Sequence, residues 1–273
     1  MKKKSKSNFL IEVALWCLTL VIFIPLYFVI VNSLKSQTEV QLMTSKLPTV
    51  FHFENYSEVL KTANLPRAFM NSTIFSISSI VISTVFSSMA SYVLVRRRTW
   101  VNGVIFNLFL IGLIAPMNIV TTFKLMKSLH LINTYYGVTL LYAASFMPFT
   151  IFLYNGFIRN LPVDLDESAV IDGANSIRKF VSIIFPLLKS VSVTAMVINF
   201  VLCWNDFVFP LYFINQSNKW GIILLLYQFI GQYYSRQDLL LSGATLTLIP
   251  TLIVYLLGQK YIISGMTAGA IKG

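Results

Sequence analysis

Five stretches of the chain run for about 20 residues or more, the length needed to cross a bilayer as a helix, without one Asp, Glu, Lys or Arg: Val13–Val31, Asn71–Val95, Trp100–Phe123, Leu131–Ile158 and Leu239–Gln259. A sixth, Ser190–Asn218, is interrupted only by Asp206. Hydrocarbon offers the backbone no hydrogen-bond partners, so a spanning segment must be a helix or part of a closed barrel. Barrel strands alternate apolar and polar residues, whereas these runs are continuously apolar. With 56% hydrophobic and 11% charged residues and a mean hydropathy of +0.73, too little polar surface remains to cover a soluble globule. The expectation is an all-α membrane protein with six transmembrane helices.

The chain then divides near residue 70. Residues 1–70 hold the first helix, at about 10–31, and an external segment. A core, 71–263, carries spans at about 72–95, 101–123, 136–157, 191–213 and 239–259, with a loop over 159–190 and a tail over 264–273. Trp220–Tyr234 is also apolar, but with Gly221, Gln228, Gly231 and Gln232 it is short for a crossing. It reads as interfacial or re-entrant. The opening MKKKSK precedes a run longer than a signal-peptide h-region and without a small-residue cleavage site, so the first helix is expected to be retained.

Placing the amino terminus inside puts 13 of the 21 basic residues on the cytoplasmic face, among them Lys2, Lys3, Lys4, Lys6, the Arg96–Arg98 triplet, Arg159, Arg178, Lys179, Lys189, Lys260 and Lys272. Lys/Arg bias in short loops sets orientation, so both termini are expected in the cytoplasm. The net charge of +11 is then accounted for by inner-loop basic residues beside anionic lipid, and no nucleic acid is needed.

Ser79, Ser83, Ser87 and Ser91 recur every fourth residue in the second run. Such a stripe lets a neighbouring helix approach closely or lines a polar path. Pro116, Pro148, Pro210 and Pro250 fall in or near late runs, where a missing donor bends a helix. Cys17 and Cys203 lie inside apolar runs as packing residues. His52 and His130 are far apart, without H-E-x-x-H or C-x-x-C spacing, so no metal site is expected. No G-x-x-x-x-G-K-[ST] loop occurs, so this chain is not itself an ATPase, and no nucleophile and base stand together as in a hydrolase.

Between the fourth and fifth runs lies a polar, helix-prone insert, ESAVIDGANSIRKFVSIIFP, from Glu167 to Pro186. Asp164 or Asp166 can cap a first short helix, Gly173 supplies a turn, and Ser176 can cap a second. Two short helices meeting at a glycine make a knob. Glu167 offers a carboxylate to a basic surface, Ala169 and Gly173 permit close approach, Ile183 and Phe185 can anchor in an apolar floor, and Pro186 marks the start of the next span. A helix merely resting on head groups would favour basic residues, but this one begins acidic.

Glu167, Ser168, Ala169, three residues, Gly173, nine residues, then Ile183, Phe185 and Pro186 resemble the EAA loop of binding-protein-dependent ABC importers, with Ser168 for Ala and Phe185 for Leu. LPVDLDESAVIDGA, CWNDFVFPL, FIGQYY and the ending QKYIISGMTAGAIKG extend the likeness, over nearly the whole chain, to the smaller permease subunit of maltose-type carbohydrate importers. The resemblance implies a type-I ABC importer permease fold over 71–263 and no enzyme activity of its own. It implies that the loop (Glu167, Ser168, Ala169, Asp172, Gly173, Ile183, Phe185, Pro186) docks on a separate ATPase, and that the tail (Gly269, Lys272, Gly273) touches it. The implied partners are a second homologous permease, two ATP-binding subunits that hold ATP and Mg, an extracytoplasmic solute-binding protein, membrane lipid and a sugar. The implied place is the cytoplasmic membrane of a bacterium. A secondary transporter or channel is the alternative, although it would be expected to show several intramembrane charges or an internal repeat.

Asp206 stands alone as an acidic residue inside an apolar run, beside Trp204, Asn205, Phe207 and Tyr212. A mid-bilayer charge costs about 2.5–3.5 kcal/mol on insertion scales, so it must meet water, a partner or a ligand. Aromatic faces with amide and carboxylate groups suit a sugar, which makes Trp204, Asn205, Asp206 and Tyr212 candidates for the substrate path. A polar helix-end cluster that holds or gates a neighbouring helix accounts for the same residues.

Overall fold

The structure, a computed structural model, describes residues 6–62, 64–115, 117–230 and 236–270. It is helical, with no strand among the described residues. The elements are α1 (Lys6–Ser33), α2 (Gln37–Val40), α3 (Glu54–Thr62), α4 (Leu65–Arg96), α5 (Trp100–Ile114), α6 (Ile119–Ser128), α7 (Tyr135–Ile158), α8 (Asp164–Ile171) and α9 (Ser176–Lys179). A π turn at Phe180–Ile184 leads into α10 (Phe185–Leu187), followed by α11 (Lys189–Trp204), α12 (Val208–Phe213), α13 (Ile222–Leu226) and α14 (Gln237–Ala270).

Four helices are long and apolar enough to cross a membrane by themselves: Ile11–Ser33, Leu65–Arg96, Tyr135–Ile158 and Gln237–Ile262. The third and fifth expected spans are each a bent pair instead. The first of these joins Trp100–Ile114 to Ile119–Ser128 at 118°, and the second joins Ser176–Leu187 to Lys189–Trp204 at 74°. Counting each pair as one span gives six. The expected continuous helix over 191–213 stops at Trp204 and restarts at Val208, because Asp206 caps the restart. Pro186 lies on the arm before the bend at Leu188, one turn short of the span it was expected to open. Pro148 and Pro250 are inside α7 and α14; Pro116 is outside the described residues. The Trp220–Tyr234 run forms only a five-residue helix and a single 3-10 turn where it is described, about 8 Å of α-helix at 1.5 Å per residue.

The chain falls into two compact units. One comprises Met1–Pro66 and Ile223–Ile249. Its long α1 is apolar all round and exposed over Ile11–Ile24, as suits a lipid-facing helix. Past its end the chain doubles back. Lys35 is fully buried, its Nζ donating to Asn32 Oδ1 at 2.9 Å, Thr44 O at 2.7 Å and Thr44 Oγ1 at 3.0 Å. The Asn55 amide bonds Ser33 O and Lys35 O, and Ser242 Oγ donates to Ser33 O at 2.9 Å. Arg236 joins Asp238 (2.7 Å) and Glu58 (2.8 Å). These bonds, to Asp238 first and then Glu58, push its guanidinium pKa above even its usual high range.

The second unit is Arg67–Ile222 with Pro250–Gly273. Its centre is α4 against α7 and α11. Ser76, Ser79, Ser83, Ser87 and Ser91 are all fully buried. Ser83 Oγ meets Thr150 Oγ1 at 3.4 Å and Ser91 Oγ donates to Ile151 O at 3.2 Å. The stripe is thus a packing seam within the unit rather than the wall of an open path. Gly258 makes a second close approach, since a Cβ there would stand 2.3 Å from Val197 Cγ2 of α11. Nearby, Ser190 Oγ and Thr194 Oγ1 bond the carbonyl of Tyr261. The backbone of α14 stays helical to Ala270, so Gly265 and Gly269 do not fray it.

Candidate functional site

The loop after α7 starts with a turn at 159–161 and then forms α8. The expected cap by Asp164 or Asp166 is not made. The position before α8 is Val163, which has no capping side chain, and Asp164 is the first helical residue. Asp164, Asp166 and Glu167 still load the positive end of the helix with carboxylates. The far end closes as a Schellman motif. The amide of Ala174 donates to Ala169 O at 2.9 Å and that of Gly173 to Val170 O at 3.0 Å, with Gly173 at φ +76°. This left-handed position favours glycine. A Cβ there would meet nothing within 4 Å, so the requirement is one of backbone conformation alone. The second arm is capped one residue earlier than expected, by Asn175 Oδ1 accepting from the Arg178 amide at 2.8 Å, not by Ser176.

The helical phase of α8 separates its residues into two faces. Asp166 and Ala169 are buried within the chain, while Glu167, Ser168, Asp172 and Gly173 are exposed. The small side chain of Ala169, 1% exposed, is therefore packed inside this chain instead of lying open to a partner. Ile171 (86%) and Ile177 (74%) are exposed, and Ile171, one turn along α8 from Glu167, gives the knob an apolar tip next to a carboxylate. Ile183 and Phe185 are half-buried against a cluster of Val95, Tyr154, Ile158, Phe180, Ile184, Leu188 and Val191. The anchor of the arm is thus mainly Phe180, Ile184 and Leu188, which a continuously apolar stretch does not single out. An apolar cleft of about 360 Å³ lies between α4 and this arm, lined among others by Met89 and Val93 opposite Ile177 and Val181.

Four residues not predicted as site residues hold the loop. Arg96 Nε lies 2.8 Å from Asp166 Oδ2, and Lys179 Nζ lies 3.8 Å from Asp166 Oδ1. Tyr92 OH also donates to Asp166 Oδ1. Arg96 reaches further, donating from Nη1 and Nη2 to Leu161 O at 3.2 Å. Tyr92 and Arg96 are one turn apart on α4, and that i, i+4 spacing was their only sequence signal.

The other candidates sit at the break between α11 and α12. Asp206 Oδ1 accepts from the Val208 amide at 3.0 Å. Its Oδ2 accepts from the Phe209 amide at 2.9 Å and from Tyr142 OH at 2.7 Å. Trp204 is buried and stacks on Phe200 at 5.3 Å, while the Asn205 side chain turns back to Val201 O at 2.8 Å. Tyr212 is 47% exposed on α12. The four are neighbours in sequence, and two of them reach other helices: Asp206 through Tyr142 of α7, and Trp204 through its ring contact with Phe69 of α4 at 5.7 Å. In the tail, Gly269 lies on the α14 backbone, and Lys272 and Gly273 are outside the described residues. No group of three or more His, Cys, Asp or Glu able to hold a metal occurs among the described residues.

The family model of the binding-protein-dependent transport system inner membrane component matches residues 83–268. Curated relatives include the melibiose/raffinose/stachyose import permease protein MelC of Bacillus subtilis, 33% identical over 256 residues, or 92% of each chain. The multiple sugar-binding transport system permease protein MsmG of Streptococcus mutans is 32% identical over 279 residues, or 100% of each. The probable starch degradation products transport system permease protein AmyC of Thermoanaerobacterium thermosulfurigenes is 30% identical, again over 100% of each. Among solved structures, a chain of a bacterial ABC transporter involved in import of the acidic polysaccharide alginate superposes with a TM-score of 0.83 at 20% identity. It covers 96% of this chain and 99% of its own, and at that identity the likeness concerns the fold.

Proposed function

The chain belongs to the family of binding-protein-dependent transport system inner membrane components, and on that premise we propose that it is the smaller permease subunit of an ATP-driven sugar or oligosaccharide importer. In this reading six spans, two of them bent, carry the sugar across a bacterial cytoplasmic membrane by alternating access, with both termini in the cytoplasm. A second, homologous permease completes the path, an extracytoplasmic binding protein delivers the sugar, and two ATP-binding subunits hold ATP and Mg. This chain performs no hydrolysis.

One observation carries the coupling role. The segment 167–186 that has the spacing of an EAA loop folds as a knob whose Glu167, Ile171 and Ile177 face outward while Asp166, Ala169 and Phe180 tie it inward. A carboxylate beside an apolar tip suits a basic-rimmed, apolar cleft on a soluble partner. Gly269, Lys272 and Gly273 are assigned to the same partner, and Trp204, Asn205, Asp206 and Tyr212 stay as candidates for the substrate path. The naming of MelC for melibiose, raffinose and stachyose import and of AmyC for transport of starch degradation products supports a carbohydrate as cargo.

Co-expression with the second permease and ATP-binding subunit, purification through a tag on this chain, and uptake in proteoliposomes test the reading. A four-protein-type complex whose uptake requires internal ATP and the binding protein is expected. Uptake by this chain without an ATP-consuming companion would return the secondary transporter or channel.

A further inference from the structure

We propose that Asp166 is the positioning residue through which displacement of the loop is passed to α4, so that α4 and the knob move as one lever. This rests on the docking role proposed above. Asp166 stands where four elements meet: it is on α8, Tyr92 and Arg96 are on α4, Lys179 ends α9, and Arg96 also holds the turn at Leu161. The side chains are largely enclosed, with Asp166 at 11%, Arg96 at 15% and Lys179 at 17% exposure. The Arg96 Nε contact with Asp166 Oδ2, 2.8 Å, is an ion pair whose two atoms make no aligned hydrogen bond, so it holds by charge; the directional bond to the same carboxylate is the one that Tyr92 OH donates to Oδ1.

The loop's other attachments transmit movement poorly. The second arm contains a π turn and meets α11 at a 74° bend, and such irregular turns are where a helix yields. The arm's anchor of Phe180, Ile184 and Leu188 is apolar packing, which holds without fixing direction. The backbone of α7 carries Pro148. Helix α4, by contrast, runs unbroken for 32 residues. A push at Arg96 is therefore felt at Met70, 26 residues or about 39 Å away at 1.5 Å per residue, without an intervening joint.

The test uses the assembled complex with the second permease and the co-purifying ATP-binding subunits in nanodiscs, on a Cys17→Ser background. Met70→Cys, at a position 56% exposed, reports through its rate of reaction with a water-soluble maleimide, with and without Mg-ATP and vanadate. With the native loop the rate is expected to change severalfold on adding nucleotide. Asp166→Asn is expected to cut that change at least fivefold while the ATP-binding subunits still co-purify within twofold of the native amount. Asp166→Glu, which restores the charge, is expected to keep at least half of the change. An unaltered response in Asp166→Asn, no response at Met70 with the native loop, or loss of the ATP-binding subunits in step with the response would each overturn the lever. Failure of the native chain to hold those subunits would sink the docking role itself, and the lever with it.

Discussion

Two aspartates of this chain are wholly or partly enclosed, and they are answered in different ways. Each takes a hydroxyl from a tyrosine of a neighbouring helix, Tyr92 for Asp166 and Tyr142 for Asp206. Asp206 is otherwise satisfied locally, by the amides of Val208 and Phe209 two and three residues ahead. The charge of Asp166 is instead balanced at long range by Arg96 and Lys179. A carboxylate facing its own next amides starts a helix; one facing cations from other elements joins those elements. The same residue type therefore acts as a cap in one place and as a tie in the other.

The largest expected effect separates the two. Arg96→Leu removes the principal cation from Asp166 and leaves an enclosed charge under-compensated, a change that typically costs about 3–5 kcal/mol. The purified chain should show a clearly lowered unfolding temperature and increased proteolysis within 159–190. The doubly substituted Arg96→Leu, Asp166→Leu chain should regain much of the loss, since replacing both partners by apolar groups is often near neutral. Equal losses in the single and double variants would remove the ion pair from the account.

Asp206→Ala comes next, at about 2 kcal/mol, because a lost cap costs roughly 0.5–2 and a stranded enclosed hydroxyl, here that of Tyr142, roughly 1–3. If the carboxylate is a cap, thermal stability falls while the sugar concentration for half-maximal uptake stays where it was. A large rise in that concentration at unchanged stability would instead place the sugar on Asp206. Asp206→Asn, which keeps an acceptor oxygen, should sit between the two.

How far these roles were legible in the sequence follows from the same contrast. The four straight spans were visible because lipid imposes about 20 apolar residues on each, and α1, α4, α7 and α14 lie where the runs do. The knob was visible because its turn needs Gly173 and its outer face needs Glu167, both local demands. The bend between Ile114 and Ile119 had a local signal in Pro116, whereas the one at Leu188 did not, since Pro186 reads equally well as the first residue of a continuous span. Asp166 was read as a possible cap because its sequence neighbours are all that a linear reading can weigh. Its true partner Arg96 is 70 positions away, and the Arg96–Arg98 triplet hides which arginine turns inward until α4 sets their phase.

Gly173→Val sharpens the difference between what holds the knob together and what lets it dock. The left-handed conformation costs an L-residue about 1–2 kcal/mol, and no neighbour lies within 4 Å of the new Cβ. The strain should therefore appear as roughly tenfold weaker retention of the ATP-binding subunit, one factor of ten per about 1.4 kcal/mol, with the ion pair at Asp166 intact. Gly173→Asn, which tolerates this conformation better, should lose less. Equal losses for valine and asparagine would point to contact at the surface as the cause.

The smallest effect is expected at Asn175, and it isolates burial as the variable. Asn175 and Asp206 both offer a side-chain oxygen to the first amides of a short helix, at 2.8 Å from Arg178 N and 3.0 Å from Val208 N. Asn175 is exposed and bonds only that amide among the contacts described here, whereas Asp206 is partly enclosed and also holds Tyr142. When Asn175→Ala frees the Arg178 amide, water can take the bond, so the loss should stay near the lower end of the capping range, about 0.5–1 kcal/mol. Hydrogen exchange should quicken over 176–179 and stay unchanged over 180–188, where Phe180, Ile184 and Leu188 hold the arm. A loss as large as that of Asp206→Ala would mean that the cap alone, without the enclosed tyrosine, sets the cost at both sites.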